Sequence, residues 1–334
     1  MSVETFLKMP HRLDNVTSLL DRKLSSMRFA KGTKCVVDFT GCTFGEPLPM
    51  LLAATEIRLM IKSNPEVEFS CRSTDCDFRG YADHIGFFRH IGFLRGNEPG
   101  AALGSRSYLP ISVLDANKMR EASVDRPYAE IVEEKSAEMA SVLTQSSTSG
   151  AFVAIQYALR EMLRNSVEHS MCDKIVLFGQ FWPAKNRAEI VIHDDGVGVR
   201  RAITESGENS ADTTMEALQL ALTAGVSGVS EAEKRHQHES WRNSGFGLYV
   251  TSRFCAERGF FRLISGDCGL TVNKNGPTQH DWRFEGTCLQ MKIDTSDLDR
   301  AGDRILEIVK EGEADASESG VPKPASKSSK TVRA

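Results

Sequence analysis

One stretch restricts this chain more than any other: the apolar run Ile190-Val-Ile-His193 stops on two adjacent acids and a spaced pair of glycines, Asp194-Asp195-Gly196-Val-Gly198. Alternating and β-branched residues predict a strand over 187–193. A carboxylate buried at the end of such a strand costs several kcal/mol unless a donor meets it. The exocyclic amine of an adenine is one such donor. Gly196 and Gly198 let backbone and ligand approach where a β-carbon would clash. The same residues also read as a plain strand-ending turn, because Asp-Gly is a common turn dipeptide.

Three further motifs fall around it in a fixed order. Glu161-Met-Leu-Arg-Asn165 sits in a predicted helix, 151–169, which Ser146-Ser-Thr-Ser-Gly150 can cap. Phe152, Ile155, Leu159, Met162, Leu163 and Ser166 share the face expected to pack on a sheet. Glu161, Asn165 and His169 follow at i, i+4 and i+8, a stripe at the edge of the other face. Glu161 can take a proton from an attacking water or orient it, and Asn165 offers a neutral oxygen suited to Mg²⁺. The same stripe also reads as a solvated polar face.

Ser244-Gly245-Phe246-Gly247-Leu248 opens a predicted helix over 246–257, and backbone amides at such a start can hold phosphate oxygens. Gly286-Thr287 places a hydroxyl at the start of a late strand, 287–293. Neither the lysine-bearing phosphate loop nor a dinucleotide fingerprint is present. Phosphate charge would fall to amides and magnesium, with Arg235, His236, His238 and Arg242 as basic candidates that equally suit a solvated loop.

The 334 residues carry a net charge of −4, which supplies no global basic field for nucleic acid. The start, Met-Ser-Val-Glu-Thr-Phe-Leu-Lys, lacks the pattern of a signal peptide, and no segment has the apolar length of a membrane span, so a cytoplasmic location is expected. The eight cysteines are dispersed, never as Cys-x-x-Cys, and read as reduced thiols. Cys71, Cys76, His84 and His90 fit no common zinc spacing; a buried strand cysteine and helix-face histidines are the simpler reading.

Strand and helix alternate near the start: a helix at 14–27, a strand at 34–39, a helix at 48–62, a strand at 67–71 and a helix at 78–90. That order predicts a small α/β domain over 1–120 with a mostly parallel sheet. A second domain follows over 121–300. It is read as a helix at 127–145, the capped helix, a hairpin of 174–182 and 187–193, a polar segment at 199–243 with a helix at 213–224, a helix at 246–257, and strands at 260–265, 269–273 and 287–293. A helix at 296–311 is expected to end at Gly312, and the remainder to 334 has the composition of a disordered tail.

With these four motifs in this order, residues 125–295 resemble the GHKL superfamily, the Bergerat-fold ATPases. The resemblance implies an α/β sandwich, a mixed and largely antiparallel sheet covered by helices on one face. It implies ATP and Mg²⁺ as ligands, with Asn165 on magnesium, Asp194 on the adenine and Gly196 and Gly198 shaping that pocket. Ser244, Gly245, Phe246, Gly247 and Leu248 would hold the phosphates, Thr287 would complete the Asp194–adenine network, and 199–243 would be the ATP lid. Glu161 matches the general base of the gyrase-like branch, an acid that anti-sigma-factor kinases share. The helix at 127–145 contains no histidine, which separates the chain from sensor kinases that phosphorylate a histidine there.

The strand Cys35–Phe39 with its loop and helix, and Gly80-Tyr-Ala-Asp-His-Ile-Gly-Phe-Phe-Arg-His-Ile-Gly-Phe93, resemble the STAS-like fold of anti-sigma-factor antagonists. Those carry a phosphorylatable serine at the loop–helix junction. Here the junction reads Phe44-Gly-Glu-Pro-Leu-Pro, with Thr43 the nearest hydroxyl. The expected function is an ATP-hydrolysing regulatory switch that relays lid closure to a protein partner through the STAS-like domain. A Ser/Thr protein kinase and a nucleotide-gated homodimerisation module are the alternatives. No membrane or nucleic-acid partner is indicated.

Overall fold

The computed structural model describes residues 4–74, 77–105, 107–121, 128–205, 207–228, 244–318 and 324–332. The chain is mixed α/β, with both parallel and antiparallel sheets. It divides into two compact units: residues 1–104 with Leu109–Val113 and Phe178–Gln180, and the rest.

The first unit contains β1 (Glu4–Lys8), β2 (Arg12–Leu13), α1 (Val16–Leu20), β3 (Lys34–Asp38), β4 (Phe44–Gly45), α2 (Pro47–Lys62), β5 (Glu68–Arg72), α3 (Asp77–His84) and α4 (Phe87–Ile91). Its main sheet is β1-β3-β5, parallel throughout, and β2 pairs with β4, also in parallel. The helix expected over 14–27 is shorter. It ends after α1, and Lys23 in the left-handed region leads into a separate 3-10 turn at Leu24–Ser26. The helix expected over 78–90 is two helices, broken at Gly86 with φ +81°.

The core of this unit forms where α2 is buried along most of its length and Phe39 meets Phe87 and Phe88 edge to face, at 5.7 and 5.3 Å between centroids. The Arg72 guanidinium, 2.9 Å from Asp38, holds that buried carboxyl well below the usual carboxylate range. Thr43 donates to the His11 carbonyl at 3.3 Å, just ahead of Pro47 at the start of α2. Cys71 lies on β5 and His90 is buried in α4; Cys76 lies outside the described residues.

The second run of elements is β6 (Tyr108–Asp115), α5 (Ala116–Glu121), α6 (Tyr128–Thr144), α7 (Gly150–His169), β7 (Lys174–Trp182), β8 (Arg187–Asp194), α8 (Val199–Glu205), α9 (Thr214–Ala221), α10 (Gly247–Arg258), β9 (Gly259–Gly266), β10 (Cys268–Asn273), β11 (Gly276–His280), β12 (Phe284–Asp294), α11 (Ala301–Glu318) and α12 (Lys327–Lys330). The strands form one sheet in the order β11-β10-β9-β12-β8-β7-β6. β12 lies between β8 and β9 and is antiparallel to both, so the last strand in the chain is central.

Alternation along these strands divides the sheet's residues between two faces. Phe261, Leu263, Ile192, Leu289 and Met291 are buried on or near the helix side, where α10 packs on β9, β10 and β12. Residues at alternate positions form a polar ladder. Lys292 Nζ lies 3.1 Å from Glu189, Gln290 donates to Glu189 at 2.8 Å, and Arg262 donates to Gln290 at 2.7 Å and to Thr271 at 3.0 Å. A buried Glu189 is tolerable because a cation and an amide both meet it.

Further features of the second run differ from the sequence expectation. β11 carries Pro277 on the outermost strand, where a missing N–H is harmless, so its turn-like composition conceals a strand. α11 does not stop at Gly312 but runs on to Glu318. There the glycine serves packing: a β-carbon at 312 would lie 2.6 Å from the Tyr249 ring. Residues 324–332, read as part of a disordered tail, pack back against the unit and include α12. Among the described residues no helix is long and apolar enough to cross a membrane.

Candidate functional site

Ser149 starts α7: its hydroxyl accepts the Phe152 amide at 3.1 Å, an ordinary N-cap. The helix then runs 20 residues, about 30 Å. It is buried on nearly every side, because α6, α10 and α11 surround it. The stripe Glu161, Asn165 and His169 is therefore no solvated face. It lines a cleft shared with the end of β8 and the loop that leads into α10.

β8 brings Asp194 to the same cleft, 3% exposed. Ser166 donates to Asp194 Oδ2 at 3.0 Å, and the Gly196 amide donates to Oδ1 at 3.1 Å. Burial pushes this carboxyl up to about 7, against the pull of the Ser166 and Gly196 hydrogen bonds. Thr287 of β12 stands directly opposite Asp194 in the ladder, at an irregularity between Phe284 and Thr287, and also lines the cleft. Such irregularities re-aim side chains beside sites.

The loop leading into α10 forms another part of the lining through Ser244, Gly245, Gly247 and Leu248. A β-carbon on Gly247 would collide with the Glu161 carboxylate, so this glycine brings the helix start against the acid. Glu161 is 3% exposed and accepts from Arg160 Nε at 3.1 Å. Asn165 Nδ2 donates to the Glu161 carbonyl at 2.8 Å, which leaves its Oδ1 as the atom able to accept or ligate. Gly198 lines the cleft beside Val199, whose amide donates to Ser265 Oγ at 3.0 Å.

Two expected residues stand outside the lining. Gly196 packs on Ser170, where a β-carbon would overlap the backbone carbonyl, so its role is to let β8's end pass the end of α7. Phe246 is fully buried and meets Tyr249 edge to face at 6.5 Å. It anchors α10 in the core instead of reaching a phosphate. From the expected lid, α8 and α9 contribute Val199, Ala202, Ile203 and Ala221, and Val226–Gly228 adds backbone and a hydroxyl. Arg235, His236, His238 and Arg242 lie outside the described residues.

The structure adds residues that pattern reading passed over. Arg164 lines the cleft from α7 and pairs with Glu168 at 2.9 Å, and burial pulls its pKa down. Its position three residues after Glu161, on the same helical stripe, is the signal that could have found it. Ser166 reads as a sheet-facing small residue yet holds Asp194. Ser329, far along the chain, also lines the cleft, and nothing in its local sequence points there.

These groups provide a buried hydrogen-bond acceptor at the cleft floor, a carboxylate beside a glycine-rich helix start, a free amide oxygen one turn further on, and a buried guanidinium. Comparisons with protein-family models, with curated proteins and with solved structures yield no match.

Proposed function

We propose that this cleft binds ATP with magnesium and hydrolyses the γ-phosphate, and that the chain works as a nucleotide-driven regulatory switch. The observation that carries the reading is the convergence of Asp194, Glu161, Asn165 and the 244–248 loop on one cleft. Asp194 suits the adenine amine, because a carboxylate offers about four acceptor positions, more than Ser166 and the Gly196 and Thr287 amides fill. The four motifs occur in the order of the GHKL ATPases, and a sheet with antiparallel pairs around β12 agrees with a Bergerat sandwich.

Magnesium fits on chemical grounds. Among the described residues no group of three His, Cys, Asp or Glu side chains could cage a metal. Mg²⁺ that arrives on a triphosphate needs few protein ligands, and Asn165 Oδ1 supplies one. When bound, the ion would neutralise phosphate charge. Arg164 and the amides at the start of α10 would meet the remaining anionic oxygens. Glu161 would orient a water and take its proton, with Arg160 fixing the carboxylate. α8 and α9 would close on the nucleotide. The parallel β1-β3-β5 unit is assigned to a STAS-like domain that contacts a protein partner, in keeping with a cytoplasmic regulator.

The deciding experiment is calorimetric titration of ATP with and without Mg²⁺, paired with a phosphate-release assay. Binding that is lost in Asp194→Ala and release that depends on Glu161 support the reading. Full affinity in Asp194→Ala refutes the site.

A further inference from the structure

Residues 324–332 are polar and basic, a composition that ordinarily remains in water. Here they are held down at several points. The Ala325 amide donates to Glu313 at 2.9 Å, and Lys330 pairs with Glu313 at 2.7 Å. The Tyr157 hydroxyl donates to the Ser329 carbonyl at 3.3 Å, and Arg160 Nη1 donates to the Thr331 carbonyl at 3.0 Å. The outcome is that Ser329, only 1% exposed, lines the cleft, with its hydroxyl 3.1 Å from that of Ser326.

Its surroundings are those of the proposed phosphate end. Ser329 Oγ lies 3.3 Å from Ser244 Oγ, at the first residue of the glycine turn, while Glu161 abuts Gly247 at the last. Arg160 joins the two walls, since one guanidinium bonds both the Glu161 carboxylate and the Thr331 carbonyl. A serine hydroxyl, a carboxylate and a phosphate-binding turn thus share one cleft.

We infer that Ser329 is a phosphorylation site filled in cis, by the nucleoside triphosphate held in its own cleft. This rests on the nucleotide reading above. Ser329 Oγ forms a bond to the γ-phosphorus, and the bond from that phosphorus to the β,γ-bridging oxygen breaks. Nucleoside diphosphate leaves, and the hydroxyl proton passes to Glu161 and from there to solvent. The seated segment excludes water from the serine's own position, which favours transfer over hydrolysis while it is docked. The product carries about −1.5 to −2 charges, two residues before the carbonyl that Arg160 holds.

The test uses the full chain with Mg²⁺ and γ-labelled ATP, with nucleotide binding measured on the same sample and the labelled peptide mapped by mass spectrometry. Label on Ser329, appearing at a rate independent of protein concentration, is expected. Ser329→Ala loses the label while still binding nucleotide, Ser329→Thr restores part of it, and Thr331→Ala keeps it. Nucleotide bound without label on Ser329, or label elsewhere, overturns the inference and leaves the binding site standing. Absence of any nucleotide binding overturns both.

Discussion

Ser166 Oγ donates to Asp194 Oδ2 across 3.0 Å, tying the later part of α7 to the final residue of β8. The carboxyl it holds is pushed up to about 7 by burial. The folded chain therefore keeps a proton that the unfolded chain releases near pH 4. Stability from this group is complete below about pH 4 and is lost as pH rises through about 7, at about 1.4 kcal/mol per pH unit crossed. Asp194→Asn removes that dependence. Urea midpoints at pH 5 and pH 8 should show the variant gaining relative to the parent at pH 8; an equal difference at both pH values refutes the linkage.

Ligand affinity should follow the opposite course. An ionised Asp194 is the better acceptor for an adenine amine, and its ionised fraction rises roughly tenfold between pH 6 and pH 8 for a group titrating near 7. Adenosine, which has no phosphate to titrate, is the suitable probe. Its dissociation constant is expected to fall about tenfold over that interval. A flat profile would place the adenine elsewhere.

Glu161→Gln preserves the shape of the side chain and the Arg160 contact but removes the base. ATP turnover is expected to drop by about 10²–10⁴ with ATP affinity retained. Single-turnover phosphate release together with equilibrium binding separates the two quantities, and unchanged turnover removes Glu161 from the chemistry.

Gly196→Ala tests the packing role. A β-carbon there meets the Ser170 backbone, which cannot swing aside as a side chain could. A loss of about 1–3 kcal/mol is expected, read as a lower denaturation midpoint. A neutral result would mean that the end of β8 relaxes freely.

Gly312→Ala reverses an ordinary expectation. Alanine inside a helix normally gains about 1 kcal/mol over glycine. At 312 the new carbon would lie 2.6 Å from the Tyr249 ring, and that ring is fixed by its hydroxyl bond to Asp315 at 3.0 Å. The variant should melt below the parent; a rise in midpoint would show that the ring yields.

Periodicity was strong enough to reveal α7, the β7–β8 hairpin and the helix that follows the 244–248 loop, and the acid-ended strand pointed to the cleft through Asp194. The missing parts share a physical cause: their residues depend on partners distant in sequence. Arg164 looks like a surface cation until α6, α10 and α11 bury its helix. Ser329 gains its place through Tyr157, Arg160 and Ser244, all distant in sequence. Gly312 reads as a helix stop because the Tyr249 ring that needs the space lies on another helix. Gly196 and Phe246 sit in motifs whose neighbours line the cleft, and spacing alone does not tell a packing member from a ligand-facing one.

The proline on β11 has a consequence for how copies of this chain meet. Asn273 and Gly276 close the two-residue turn, so at the next pair, Val272 with Pro277, the residue on β11 turns its amide nitrogen outward. That outward position has no hydrogen to give. An extended segment from a second molecule would find a gap in the row of donors on a strand only five residues long. Edge-to-edge growth toward fibres is thereby discouraged at this end of the sheet, and crowded copies have no continuous template here.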